Sequence, residues 1–174
     1  MLQPDAPLST AQMWGYARYP LVVLMYASRR EWVLRLCGGL VNAAGTVHYW
    51  MLGLPTAALT ALLSGSRIVL PAMPEDAPLA RRQTMAGLYF VGFFGLAALS
   101  WQGWISLFAA GLCWASTCLF LILRELPLRM RLLQLEFAWL TFGFVSHSYS
   151  QILISLTVIP VMVYRVRAMR RQLA

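Results

Sequence analysis

Lysine is missing altogether: all 14 basic residues are arginine, a usage that reflects a GC-rich coding sequence as much as function. Acidic residues number six in 174 positions, and histidine occurs twice. Charged residues make up 11% of the chain and hydrophobic ones 60%. A soluble domain carries about 25% charge, so this composition excludes an ordinary water-soluble protein. Nothing resembles a paired-carboxylate site, a nucleophile triad or a phosphate loop, and Gly65-Ser66-Arg67 has no base partner in the sequence. Cys37, Cys113 and Cys118 all fall in apolar segments without metal-ligand spacing, and so read as buried thiols. Two histidines with no carboxylate or cysteine nearby make a weak metal site. No enzymatic activity, metal or cofactor is expected. The leading stretch MLQPDAPLSTAQ has no basic run, so a cleaved signal peptide is not expected either.

What the chain does have is a series of apolar runs near 20 residues, parted by arginine clusters. That pattern predicts an all-α protein crossing a membrane several times. A net charge of +8 would suggest nucleic acid for a soluble chain. Here arginines at the cytoplasmic ends of helices and against anionic headgroups account for it, so the expected partner is the lipid bilayer and not nucleic acid. Arg35 to Arg67 reads as a hairpin broken at Gly53-Leu54-Pro55. Arg131 to Arg165 reads as a second, with the polar run Ser146-His147-Ser148-Tyr149-Ser150-Gln151 at its turn.

Seven spans follow in order. The first runs from Trp14 to Ser28, with Pro20 inside and Arg18 snorkelling to the near surface. The hairpin gives Val33–Leu52 and Pro55–Leu70, and a polar linker with Pro71, Pro74, Glu75, Asp76, Pro78, Arg81 and Arg82 comes next. Thr84 to Ser100 is the fourth span and the segment ending at Leu123 the fifth. The second hairpin supplies the last two. Arginines gather in the loops after spans one, three and five and in the tail, which places the amino terminus outside and the carboxyl terminus in the cytoplasm. The recurrence of arginine, histidine and arginine in both hairpins suggests an internal duplication. Residues 13–70 and 103–167 would be parallel three-helix repeats joined by a linking helix over 84–100, a 3+1+3 plan.

The stretch His48-Tyr49-Trp50-Met51-Leu52-Gly53, then Pro55, small residues through Ala61 and Ser64-Gly65-Ser66-Arg67, with Trp114 and His147, resembles the YgjV-like family of bacterial inner-membrane proteins. That family sits in the wider superfamily of PQ-loop and SWEET-type sugar transporters. The resemblance implies an inner-membrane location and a SWEET-like fold, and sugar transport at the superfamily level. The chain departs from that pattern in two places. The Pro-Gln pair is absent, since Leu21 follows Pro20 and the fifth span has no proline. Ser64 stands where related chains often carry asparagine.

Among candidate site residues, Thr56, Thr60, Ser64 and Arg67 share one helix face. Asn42 lies near mid-membrane, beside Gly38, Gly45 and Thr46. Such a polar stripe can replace the water shell of a small neutral solute, or its hydroxyls can bond their own helix carbonyls. Ile154, Val158 and Met162 would form an apolar wall opposite, with Trp139 stacking on a sugar face. Glu136 shares a face with Leu140, Gly143 and His147. It reads as a coupling acid or as a partner of Arg129 or Arg131 near the cytoplasmic surface. His48 and His147 read as paired gates or as interfacial residues. The function expected is a permease for a small neutral solute such as a sugar, working by alternating access. The alternative is a non-transporting inner-membrane accessory protein acting through helix or lipid contacts.

Overall fold

Proline and glycine punctuate the chain where its helices begin and end. The computed structural model describes residues 6, 8–28, 30–66, 77–123 and 125–173. Among these there are eight helices and no strand. Helices α1 (Thr10–Ala17) and α2 (Tyr19–Ala27) are two halves of one rod. Ser9 caps the first half, its hydroxyl accepting from the Gln12 amide at 3.3 Å. Pro20 has no N–H to give the carbonyl four residues back, and the rod breaks just before it, at Arg18.

Helix α3 (Glu31–Met51) turns into α4 (Pro55–Gly65) through Gly53, which sits at φ 73°. The Leu54 amide bonds Tyr49 O at 2.9 Å across that turn, and Pro55 opens the next helix where a missing N–H costs nothing. Helix α5 (Leu79–Leu99) passes to α6 (Trp104–Ile122) through Gly103 at φ 83°. Helices α7 (Glu125–Val145) and α8 (Tyr149–Leu173) are joined through His147, at φ 51° in a place glycine usually fills.

Several boundaries differ from the sequence reading. The first span begins at Thr10, not Trp14, because Ser9 is its cap. Helix α5 begins at Leu79, so Arg81 and Arg82 ride on its first turn and do not belong to a linker. Arg67, the rest of the third span, Glu75, Asp76, Arg29 and Arg124 lie outside the described residues. Two helical stretches, Trp104–Ile122 and Tyr149–Arg171, are long and apolar enough to cross a membrane on those criteria alone. The other helices dilute their apolar runs with charge, as α7 does with Glu125, Arg129, Arg131 and Glu136, or are short within the described residues, as α4 is.

Helices α3 and α4, α7 and α8, and α5 and α6 pack as neighbours in sequence. Across the bundle, α2 packs on α8 and α4 on α6. One core cluster gathers Val22, Leu34, Leu132, Val158 and Met162, and a second sets Phe142 among Tyr49, Ala58 and Leu112. Arg129, 9% exposed, donates to the carbonyls of Tyr26 and Ser28 at 3.3 and 3.0 Å. A cation there satisfies the open carbonyls at the carboxyl end of α2 and ties it to α7. Replacing Arg129 by Met keeps the aliphatic stem and removes the donors. We expect a loss of about 1.5–3 kcal/mol, the range for hydrogen bonds to a charged group. Unfolding in mixed dodecylmaltoside and SDS micelles measures it, and an unchanged midpoint would show that the cap is idle.

Candidate functional site

A cavity opens where α2, α3, α4, α6, α7 and α8 meet, and its volume to the centres of water molecules is about 150 Å³. A water's share of liquid volume is about 30 Å³, so this is room for about five waters. Its walls are apolar for the most part, with Val22, Met25, Leu132 and Ile154 toward the arginine-bearing helix ends. The polar groups on it are few: Asn42, Thr60 and Ser64 from the first hairpin, Glu136 and Gln151 from the second, Ser116 from α6, and Arg18, Tyr26 and Tyr49. Few convergent polar groups on an apolar wall are the usual makeup of a small-molecule pocket.

Arg18 does not snorkel. It is 4% exposed and lies over the Tyr49 ring, 5.1 Å from its centroid. Its Nη2 donates to Gln151 Oε1 at 3.4 Å, and its Nε reaches Gly15 O at 3.5 Å. Arg18 keeps helical dihedrals (φ −72°, ψ −24°) and follows Ala11 and Gly15 on the buried face of the rod, and Gly45 on α3 leaves room for it: a Cβ there would stand 3.0 Å from Arg18 Nη1. From Gln151 a line of bonds runs deeper. Tyr49 Oη donates to Gln151 Oε1 at 3.1 Å, Gln151 Nε2 to Ser155 Oγ at 3.2 Å, and Ser155 Oγ to Glu136 Oε1 at 2.7 Å.

Above Arg18, at the end away from the arginine clusters, a second polar cluster closes the bundle. His48 is fully buried, with Nδ1 2.6 Å from Ala11 O and Nε2 2.8 Å from Ser148 Oγ and 3.2 Å from Ser150 Oγ. Gln12, also fully buried, donates through Nε2 to His147 O at 3.1 Å and accepts from the Ser150 amide at 3.2 Å. Helix α1 is thereby stitched to the start of α8, and α3 to both. Gly15 makes this approach possible, since a Cβ on it would overlap the Ser150 side chain.

The sequence-predicted residues divide accordingly. Asn42, Thr60, Ser64, Trp139 and Glu136 line the cavity together. Asn42 Nδ2 also donates to Gly38 O at 2.7 Å, and Thr60 Oγ1 to Thr56 O at 2.8 Å, so both bond their own helices. Thr56 is buried on the same face, but its hydroxyl goes to Ser100 O at 2.6 Å and lies 3.0 Å from Ser106 Oγ, away from the cavity.

Four expectations are corrected. Glu136 is 4% exposed and bonds Ser155, while Arg129 caps α2 and Arg131 donates to Gln134. His48 is an interior residue, whereas His147 is exposed, so the two do not form a pair. His147 also leaves the face of Glu136 and Gly143, because α7 ends at Val145. The second hairpin is no purely apolar wall either. Of Ile154, Val158 and Met162 only Ile154 reaches the cavity, and Gln151 and Glu136 bring polarity from that side.

Sequence reasoning missed Gln12, Arg18, Tyr49 and Gln151 as interior groups. The signals were an arginine inside an apolar run and the dense polar segment from Ser146 to Gln151. Among the described residues, no three histidine, cysteine or acidic side chains gather as a metal site.

The model of one protein family, Imp-YgjV, described as a bacterial inner membrane protein, matches residues 9–172. No curated protein and no solved structure matches the chain.

Proposed function

Since the chain belongs to this family of bacterial inner membrane proteins, we propose that it is a permease for a small solute without net charge, working by alternating access. The observation that carries this is the cavity itself: a mostly apolar chamber with a few buried polar groups, lined from both hairpins. In this reading α1–α2, α3 and α4 form one repeat, α6, α7 and α8 the other, and α5 links them. Exchanging the repeats turns the α2–α8 contact into α6–α4 and the α3–α4 contact into α7–α8. All of these pairs pack, which supports the SWEET-like 3+1+3 plan. The His48 cluster would be the gate at the outer end and the Arg129 cap the tie at the cytoplasmic end. The described arginines on α5, on the first half of α7 and at the end of α8 support a cytoplasmic carboxyl terminus.

The accessory-protein alternative draws on the bonds that Thr60 and Asn42 make within their own helices, which need no solute. Uptake into proteoliposomes separates the two readings. Asn42→Leu removes a cavity donor and leaves only Gly38 O to find another partner, so insertion and abundance should hold. We expect uptake to fall about tenfold or more, the effect of losing roughly 1.4 kcal/mol of solute binding. Unchanged uptake would move the path elsewhere, and a collapse in abundance would make Asn42 a packing residue.

A further inference from the structure

The cavity wall carries two charged residues of opposite sign, Arg18 and Glu136, each 4% exposed. Neither is fully engaged by protein. Arg18 uses Nε and Nη2 in two long bonds of 3.5 and 3.4 Å and also meets the Tyr49 side chain, which engages only part of its five N–H donors. Glu136 accepts from Ser155 on Oε1, and its Oε2 has no partner among them either. Gln151 and Ser155 stand between the two and bond one to each, which fixes their separation. A buried guanidinium with donors to spare and a buried carboxylate with a free oxygen, on one solute-sized cavity, call for a ligand bearing both charges.

We propose that the solute is a zwitterion of amino-acid type, with its carboxylate on Arg18, its ammonium on Glu136, and a small or apolar side chain toward Met25 and Ile154. This rests on the cavity being the solute site of the permease reading and narrows "without net charge" to "dipolar". The physical reason is selection by both charges. A lone anion meets Arg18 but is repelled by Glu136, and a lone cation meets the reverse. A sugar leaves the two buried charges with only each other across the cavity. A zwitterion satisfies both and adds no net charge to the interior. Guanidinium also suits a carboxylate geometrically, since two parallel N–H groups can meet two oxygens. Room for about five waters suits a solute of a few heavy atoms, and among solutes of that size charge makes the choice.

The test uses the full chain, purified for binding and reconstituted for uptake. Binding is read by thermal shift and calorimetry with L-alanine, glycine, L-serine and β-alanine. Propionate (alanine without its ammonium), ethylammonium (alanine without its carboxylate) and glucose are the controls. The expected result is at least one amino acid binding about tenfold or more tighter than every control. Glu136→Gln, which keeps an acceptor for Ser155, should lose that preference, so that alanine and propionate bind alike. Arg18→Gln should bind alanine no better than ethylammonium. Propionate, ethylammonium or glucose binding the wild type as well as the amino acids overturns the proposal, as does binding by none of the amino acids. Glucose uptake without amino-acid uptake would leave the permease standing and remove the zwitterion. Amino-acid binding that follows both charge deletions, with no uptake, would do the opposite.

Discussion

Gly15→Ala is expected to be the most damaging single-methyl change in the chain. The added Cβ would overlap both heavy atoms of the Ser150 side chain and stand 2.9 Å from His48 Cε1. Neither neighbour can yield cheaply. Both are fully buried, and the His48 ring is held at both nitrogens. Moving α1 away instead separates Gln12 from the Ser150 amide and His147 O, leaving buried polar groups unpaired. Overpacking costs about 1–3 kcal/mol, and each polar group left unmade about 1–3 kcal/mol more. The comparison is Gly87→Ala on α5, where the new methyl meets nothing within 4 Å. There alanine should be neutral or slightly stabilising, as it is the better helix former. Thermal unfolding in one detergent measures both. Equal midpoints for the two variants would refute the close approach of α1 to α8.

The second large effect is expected at His48. His48→Phe keeps a ring in the fully buried site but strips Ala11 O, Ser148 Oγ and Ser150 Oγ of a partner. Ser148 Oγ still accepts from the Gln151 amide at 3.3 Å, so the cost falls mainly on Ala11 O and Ser150 Oγ, at about 1–3 kcal/mol each, a large share of a typical net stability. The diagnostic is rescue. Adding Ser150→Ala to His48→Phe removes a hydroxyl left with only a long 3.4 Å contact to Ser148 Oγ and keeps the Ser148 bond to the Gln151 amide, so the double variant should be more stable than the single one. Removing both partners of a buried bond is milder than removing one. If the double variant is the less stable, the Ser150 hydroxyl has a better partner than His48 and the bonds of the His48 cluster are wrongly drawn.

These two sites also mark how far the sequence could be read. The hairpin at Gly53-Leu54-Pro55 was legible because a left-handed glycine before a proline is a local signal. The common face of Thr56, Thr60 and Ser64 was legible because helical spacing fixes it, and all three are buried. The partners of the polar groups were not. His48 and Ser148 lie 100 residues apart, Gln12 and His147 135, and Thr56 and Ser100 44. Periodicity says nothing about contacts at such range. Arg18 was misread for a different reason. An arginine one turn inside a span can snorkel outward, but Arg18 shares the buried face of its rod with Ala11, Gly15 and Val22 and so meets Gln151. Glu136 was given arginine partners by proximity along its helix, whereas α8 supplies Ser155 from the neighbouring rod.

The 133 residues between Arg18 and Gln151 are also an interval of time. A ribosome adding roughly 5–20 residues per second needs about 7–27 seconds to cover them. For most of that interval the first rod is complete while the helix that receives its arginine has yet to be made. An arginine held at mid-bilayer without partners is disfavoured by about 2.5–3.5 kcal/mol on insertion scales. In the proposed 3+1+3 arrangement the nascent first rod is therefore poorly placed in lipid until α8 emerges beside it. Its seat in the bundle is settled only when α8 arrives to receive Arg18.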